Sequence, residues 1–515
     1  MQYGPQIVKN GLVLALDAAE ANSYGPIKAE VLIVAGGGGG GSDMGGGGGG
    51  GGVIYNSSYT VTRGSTITVT VGNGGAGAVA GVGQARGTNG DNSVFGSLTA
   101  IGGGGGASCH DRSTSPAGNG GSGGGASGGG TLPSGGTGGG GYGGGIRGLG
   151  TSGQGYDGGT GFYAWYPGGG GGAGGAGSSG PNIPNGGPGL LFSSMSPYYF
   201  GGGGGGSAYS VSPGGNGCIG GGGGGAIGTT TGGAGLNNGS PGGGGGINSW
   251  ANTPGGNAGA NTGGGGGGGS HYNSNNYGGN GGSGIVIVRY KGPQKATGGT
   301  ITTVDNETVH TFTSSGSFVA GTHFADLSGN GYNGTLGTST AAPTYSNQNG
   351  GSLVFDGSND YVQTPLTGTF SQITFDYWGF FDDATLSTTS RNESAFGDWT
   401  SNRVHWGTRW SVGMHWNVNN AWIAVPTTNL RYGWNHFSLI WDNSASQKLI
   451  YINSILSSSE ATNGNMVLGD FKIGVATNLN AYYRGNISNF RVYNRALTAT
   501  EVFKNYQTTK ARFGL

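Results

Sequence analysis

Charge is scarce in this sequence. Only 8% of its 515 residues are charged, and 21 basic residues cancel 21 acidic ones. A neutral, charge-poor chain carries no electrostatic footprint for nucleic acid or an anionic membrane. It also lacks the solvating charge on which disordered tracts depend. Two cysteines, Cys109 and Cys218, exclude a disulfide framework and a zinc-type spacing, and they are read as buried or loop thiols rather than as a pair. No apolar run is long enough to span a bilayer, so membrane insertion is not expected. The opening MQYGPQIVKN shows no basic-then-apolar leader. For a chain that reads as an exposed binding surface, this suggests release by lysis rather than secretion.

What the sequence has in excess is glycine, 132 residues of it. Uninterrupted runs occupy 36–41, 45–52, 102–106, 168–172, 201–206, 220–225, 242–246 and 263–269. Glycine excess without a period usually marks a flexible linker. Three features favour order instead. Charge is low; the inserts between runs carry aromatics, as in GFYAWYP, LLFSSMSPYYF, INSWANTP and SHYNSNNY; and two apolar runs, VLIVA (31–35) and GIVIVRY (284–290), bracket the field as strand partners. A left-handed threefold polyglycine helix has no internal hydrogen bonds and turns its N–H and C=O groups outward. Several lying side by side would satisfy one another, as burial requires. A six-residue run would span roughly 19 Å.

Along the chain, GLVLALDA (11–18) is suited to a buried strand. YTVT (59–62) and STITVTV (65–71) read as a hairpin turning at Arg63-Gly64, and SVFGSLTAI (93–101) and TVHTFTSSGSF (308–318) as further strands. The expectation is a β-scaffold over 30–101 and 284–319, with polyglycine helices and variable loops over 102–283. After Gly321 glycine thins. Runs such as ITFDYWGFF, NHFSLIW, KLIYIN and GNISNFRVYN then recur between polar turns, which predicts an all-β antiparallel sandwich. ALTATEVFKNYQ (496–507) is the convincing helix, with Thr498 and Glu501 set as a capping box.

DLSGNGYNGTL (326–336), GGSLVFDGSNDYV (350–362), GWNHFSLIWDNS…LIYIN (433–453) and GNISNFRVYNRALTATEV (485–502) resemble the laminin-G, concanavalin A-like sandwich (a jelly roll) of phage virion proteins. GLVLALDA resembles that domain's opening, which normally runs soon into the DLSGNG motif. Residues 1–26 and 321–515 therefore read as one discontinuous sandwich carrying residues 27–320 as an insertion. VLIVAGGGGGG, TVTVGNGGAG and GGSGIVIVRY resemble the glycine-rich domain of phage tail-fibre and tail-tip proteins. HTFTSSGSF, which usually precedes the VLIVA-type strand there, follows GIVIVRY here, implying a circularly permuted insert. The alternation of glycine runs with loops is also similar to the polyglycine adhesins that cap phage long tail fibres.

No catalytic group is assigned. Matches to G-x-G-x-x-G lack the following helix that a dinucleotide site needs. Cys109-His110-Asp111 are adjacent and diverge along the backbone, so they read as a loop. Asp356, Asp360, Asp382, Asp383 and Asp398 do not alternate along one strand as a glycosidase pair would. Asp356 and Asp360 read as turn formers. A calcium site on the sandwich is compatible with the resemblance, without assigned ligands. Trp399, Trp406, Trp410, Trp416 and Trp422 read first as aromatic core; Trp406 and Trp416, beside His405 and His415, are the candidates for sugar stacking.

The aromatic inserts use the palette of adaptable binding loops. The candidate contacts are Phe162, Tyr163, Trp165, Tyr166, Phe192, Tyr198, Tyr199, Phe200, Tyr209, Trp250, His271, Tyr272 and Tyr277. The resemblance implies a non-enzymatic virion protein, a tail-fibre or tail-tip adhesin for a bacterial glycan or outer-membrane protein. Its other partners would be virion proteins and further copies of itself. The alternative is a capsid decoration or head-fibre protein with a role in assembly.

Overall fold

The computed structural model describes the chain except residues 1–5, 19, 21–25, 80–85, 111–112, 115, 129–144, 163–165, 209–212, 245–252, 272–275, 293, 322, 338, 349–350, 382–391, 399–403, 410–412 and 477–479. It divides into two compact units. One comprises residues 1–27 with 321–515, and the other residues 28–320. Among the described residues no helix is long and apolar enough to cross a membrane.

The first unit is a concanavalin A-like β-sandwich. One sheet runs in the order Thr344–Ser346, Ser352–Asp356, Arg484–Tyr493, Gln372–Phe381, Gly433–Asp442, Gln447–Ile452, Ile455–Glu460. The strand Leu12–Leu16 joins it by pairing with Arg484–Tyr493, with Leu16 opposite Phe490. The second sheet is built around Glu393–Asp398, Val404–Arg409, Gly413–Val418 and Ala421–Ala424. Alternation along each strand sends Phe375, Tyr377, Phe437, Leu439 and Phe490 against Phe396, Trp406, Met414 and Trp416.

The DLSGNG motif ties the start of the chain to this sandwich. Asp326 accepts from the Ala15 N–H (2.8 Å), and Ser328 Oγ donates to the Val13 carbonyl (2.9 Å). The helix Ala499–Thr509 begins with the capping box read from sequence, Thr498 Oγ1 accepting from Glu501 N–H and Glu501 Oε2 from Thr498 N–H. Its Tyr506 stacks over Trp378 on the outer side of the first sheet.

The second unit rests on a scaffold of two five-stranded sheets. The first has the order Thr300–Val304, Glu307–Phe312, Ile285–Lys291, Ile27–Val34, Val53–Val61, and the second Ala296–Thr297, Gly316–Ala320, Thr66–Thr70, Ser93–Phe95, Leu98–Ala100. The bracketing runs do pair, Val34 opposite Ile285 and Val31 opposite Val288. The expected hairpin does not form. Val53–Val61 and Thr66–Thr70 lie in different sheets, and the turn at Arg63-Gly64 carries the chain from one to the other. Likewise 308–318 divides into two strands, one per sheet. Tyr290 and His310 of the first sheet meet Phe318 of the second edge-on, and Phe318 meets Phe95.

Beyond the scaffold the glycine runs pack as a lattice. Gly36 and Gly39 donate to Asp91 and Thr88; Gly37 and Gly40 donate to Gly282 and Gly279; Gly38 and Gly41 donate to Gly49 and Gly46. The carbonyls of the same run accept from Gly103 and Gly106, from Gly75 and Ala78, and from Gly266 and Gly269, all at 2.8–2.9 Å. Partners repeat every third residue, which is the signature of threefold helices bonded to six neighbours. A Cβ on Gly38, Gly40 or Gly48 would strike the carbonyl oxygen of Gly104, Gly267 or Gly38. The lattice begins at Gly36 rather than at residue 102, because the runs 36–41 and 45–52 form its centre. At its rim, where a neighbour is missing, asparagines substitute: Asn119 Oδ1 accepts from Leu149 N–H, Asn216 Oδ1 from Thr231 N–H, and Asn280 Oδ1 from Gly77 N–H.

Candidate functional site

Hydrogen-bond register fixes which end of each run lies on the scaffold. Ala35, Gly52, Gly72, Ile101 and Gly284 adjoin scaffold strands and bond to one another, as in Ala35 N–H to Gly52 and Gly284 N–H to Gly72. The opposite level is set by Gly41 to Gly46, Gly46 to Ala107, Ala107 to Gly125, Gly168 to Ala126, Ser207 to Gly45, Ala226 to Gly268 and Gly255 to Tyr277. The described residues at this far end therefore include 42–44, 79, 86, 108–110, 116, 128, 145, 161–162, 166–167, 180–183, 207–208, 213, 244, 253, 270–271 and 276. Loops far apart in sequence share one surface because the runs between them have similar lengths.

At that end Phe162 is exposed and its N–H donates to the Tyr166 carbonyl at 2.8 Å, closing a small loop on which Tyr166 is half-buried. Tyr277 and Ile183 are exposed beside it in level. His271 Nδ1 lies 2.5 Å from Asp43 Oδ1, and Asp43 and Met44 sit on a turn with positive φ. Tyr163, Trp165, Tyr209, Trp250 and Tyr272 lie outside the described residues, but both flanks of each of their segments lie at this end.

The remaining insert lies at the other end. Phe200 is fully buried with Leu32, Val34, Val53 and Ile285, and Phe192 is half-buried against Tyr55, with ring centroids 5.1 Å apart. Arg289 holds the Ser194 carbonyl from the scaffold. Residues 190–200 thus cover a sheet face, which removes Phe200 from the candidate contacts. Tyr198 and Tyr199 are exposed, yet on the scaffold side.

Trp406 and Trp416 are also corrected. Both are fully buried between the sheets, Trp406 Nε1 donating to Tyr377 Oη (2.5 Å) and Trp416 meeting Trp441 edge-on. His405 and His415 on the opposite strand face are buried as well, stacked 4.9 Å apart, so the alternation turns neither residue of either pair to solvent. Trp422 lies beside His415; Trp399, Trp410, Asp382 and Asp383 are outside the described residues.

Asp356, Asp360 and Asp398 of the sandwich are tied to backbone. Asp356 Oδ1 accepts from Ser358 N–H, Asp360 Oδ2 from Asp356 N–H, and Asp398 Oδ2 from Gly469 and Asp470 N–H. Burial raises the Asp360 carboxyl above its ordinary value. Asp376 is fully buried. Burial alone would raise it, but His436 (3.2 Å) and Arg491 (2.9 Å) hold it well below the usual carboxylate range. Ser438 Oγ donates to Asp376 rather than to His436, so this trio is not arranged as a nucleophile and base. Among the described residues no group of three His, Cys, Asp or Glu is placed to hold a metal ion. Cys109, buried in a short strand, and Cys218 are not joined in a disulfide.

Residues 356–503 match the concanavalin A-like lectin/glucanases superfamily. The lectin/glucanase match and a second one, residues 21–221 to the glycine-rich domain family, cover different parts of the chain. No curated protein matches. Among solved structures, domain 4 of an extracellular arabinanase from Geobacillus stearothermophilus, in complex with arabinotriose, is 19% identical over 35% of this chain and 92% of that one, with a TM-score of 0.30. The binding domain of Paraclostridial mosquitocidal protein 1 is 15% identical over 35% and 48%, TM-score 0.29. That of botulinum neurotoxin serotype G is 17% identical over 35% and 47%, TM-score 0.28. The chain spans about half the length of these two toxin chains.

Proposed function

We propose that the protein is a non-enzymatic adhesin of a virion tail fibre or tail tip, which recognises a bacterial surface glycan or outer-membrane protein through the far end of its glycine lattice. The observation that supports this reading is that the described residues Phe162, Tyr166, Ile183, His271 and Tyr277, from segments far apart in sequence, stand at one end of the hydrogen-bonded glycine lattice. Such residues give large contact area at small entropic cost. Several copies on one particle would turn weak contacts into firm attachment. The engagement of Asp356, Asp360 and Asp398 with backbone supports binding rather than hydrolysis.

Exchange of loops 162–167, 247–254 and 271–276 is expected to lower host-cell adsorption by at least about tenfold. Replacing the exposed Tyr198 and Tyr199 by serine, at the scaffold end, should leave adsorption unchanged. Adsorption indifferent to the far-end exchange would sink the adhesin reading. Labelled electron microscopy separates it from the head-decoration alternative, since a signal on the capsid supports the latter.

A further inference from the structure

On the flank of the lattice, near its far end, three neighbouring rim runs enclose an open cavity of about 610 Å³. It is lined by Arg86 and Asn89 from the first run, Pro116, Ala117 and Asn119 from the second, and Ile146, Arg147 and Leu149 from the third. The pairs 86/89, 116/119 and 146/149 are each three residues apart, so each pair occupies one side of its threefold helix. The second run lies between the other two: its Ala117 and Gly120 donate to Ile146 and Leu149, and its Asn119 carbonyl accepts from Asn89 Nδ2 (2.9 Å). The floor is thereby fixed by lattice bonds, and the walls are side chains.

The chemistry of the walls is unusual for this unit. Arg86, Arg112 and Arg147 are the basic residues between residues 64 and 288, and two of them stand on this one cavity, Arg112 lying outside the described residues. Arg147 is shared with the half-buried Asp157 (3.0 Å), while Arg86 makes a long contact of 3.5 Å to the Pro116 carbonyl. Ile146 and Leu149 are both more than half exposed and offer an aliphatic wall. The N–H groups of residues 87 and 90 and of 88 and 91 are taken by two neighbouring runs, so the third direction, that of the Asn89 N–H, points out of the lattice.

We infer that this groove binds an acidic oligosaccharide, with Arg86 and Arg147 pairing to its carboxylates and Ile146 and Leu149 packing on its sugar faces. Guanidiniums on separate runs suit a ligand whose charges are spread along a chain, and each offers paired donors to a carboxylate. A compact anion would meet one of them and leave the aliphatic wall unused. The inference deepens the adhesin reading by naming a ligand class, yet its test needs only the purified chain and no cells.

Calorimetric titration with trigalacturonate should show binding that weakens with salt, while the neutral galactose trimer and inorganic phosphate bind at least about tenfold more weakly. The double variant R86Q/R147Q should lose about tenfold or more in trigalacturonate affinity while keeping the parent unfolding temperature, and the control R431Q on the sandwich should lose none. Equal binding of phosphate or of the neutral trimer, or unchanged affinity in R86Q/R147Q, overturns the proposal. Loss of this affinity with intact host adsorption would separate the groove from the far-end loops.

Discussion

Gly38 sits at the centre of the lattice with all of its backbone groups engaged, donating to Gly49 and accepting from Gly266. An added methyl there meets the Gly104 carbonyl, a backbone atom that cannot turn aside. Gly38→Ala is therefore expected to destabilise residues 28–320 by about 3 kcal/mol or more, as overpacking against fixed neighbours does. Gly244→Ala, where a Cβ meets nothing nearer than 4.0 Å, should be nearly neutral. Denaturant unfolding of the two variants checks this; equal stability would mean that the runs are not packed as described. The sequence displays the glycines but not the rim asparagines that close the lattice. Asn119, Asn216 and Asn280 look like loop residues because their role depends on a missing neighbour, and absence has no sequence signal.

The helix Ala499–Thr509 was legible because its cap is local: Thr498 and Glu501 are three residues apart and satisfy each other's backbone. Arg495 grips the Glu501 carboxylate with its two terminal guanidinium nitrogens (2.6 and 2.8 Å), and this hydrogen-bonded pairing holds the carboxyl down to about 2. A depressed acid stabilises the folded state above its unfolded value, and the contribution is lost as pH falls toward 2. Thr498→Ala should cost about 1 kcal/mol at neutral pH. Glu501→Gln should lower the unfolding temperature at pH 7 and make little difference near pH 2, where the parent carboxyl is itself protonating. A variant equally destabilised at both pH values would refute the ionic role.

Other elements were less legible. The alternation of 53–71 announces two strands but not their sheet, since period two reveals parity and not partners. For Trp406 and Trp416 parity fails differently, because both faces of their strands are buried. Residues 190–200 carry the same aromatic palette as the far-end inserts, and only the register of the runs places them on the scaffold.

At the scale of the whole chain, the sandwich takes its first strand, Leu12–Leu16, from before the glycine unit and everything else from after Gly321. The bonds from Asp326 and Ser328 to Ala15 and Val13 join those two stretches without any residue of 28–320. A chain in which a flexible Gly-Ser linker replaces 28–320 should thus unfold in one cooperative transition with near-UV signals of packed tryptophan. Failure to fold would show that the sandwich draws stability from its insertion.

The polyglycine runs bear a consequence for change over generations. A loop at the far end springs from glycine stretches that meet their neighbours mainly through backbone, so those stretches read little of the loop's sequence or length. Segments exchanged between such loops, or lengthened, would disturb few buried side chains beyond those at the loop ends, such as Ser108, Ser207 and Ser270. If that end meets a target, as proposed, the surface under most pressure to change is the one whose foundations constrain it least.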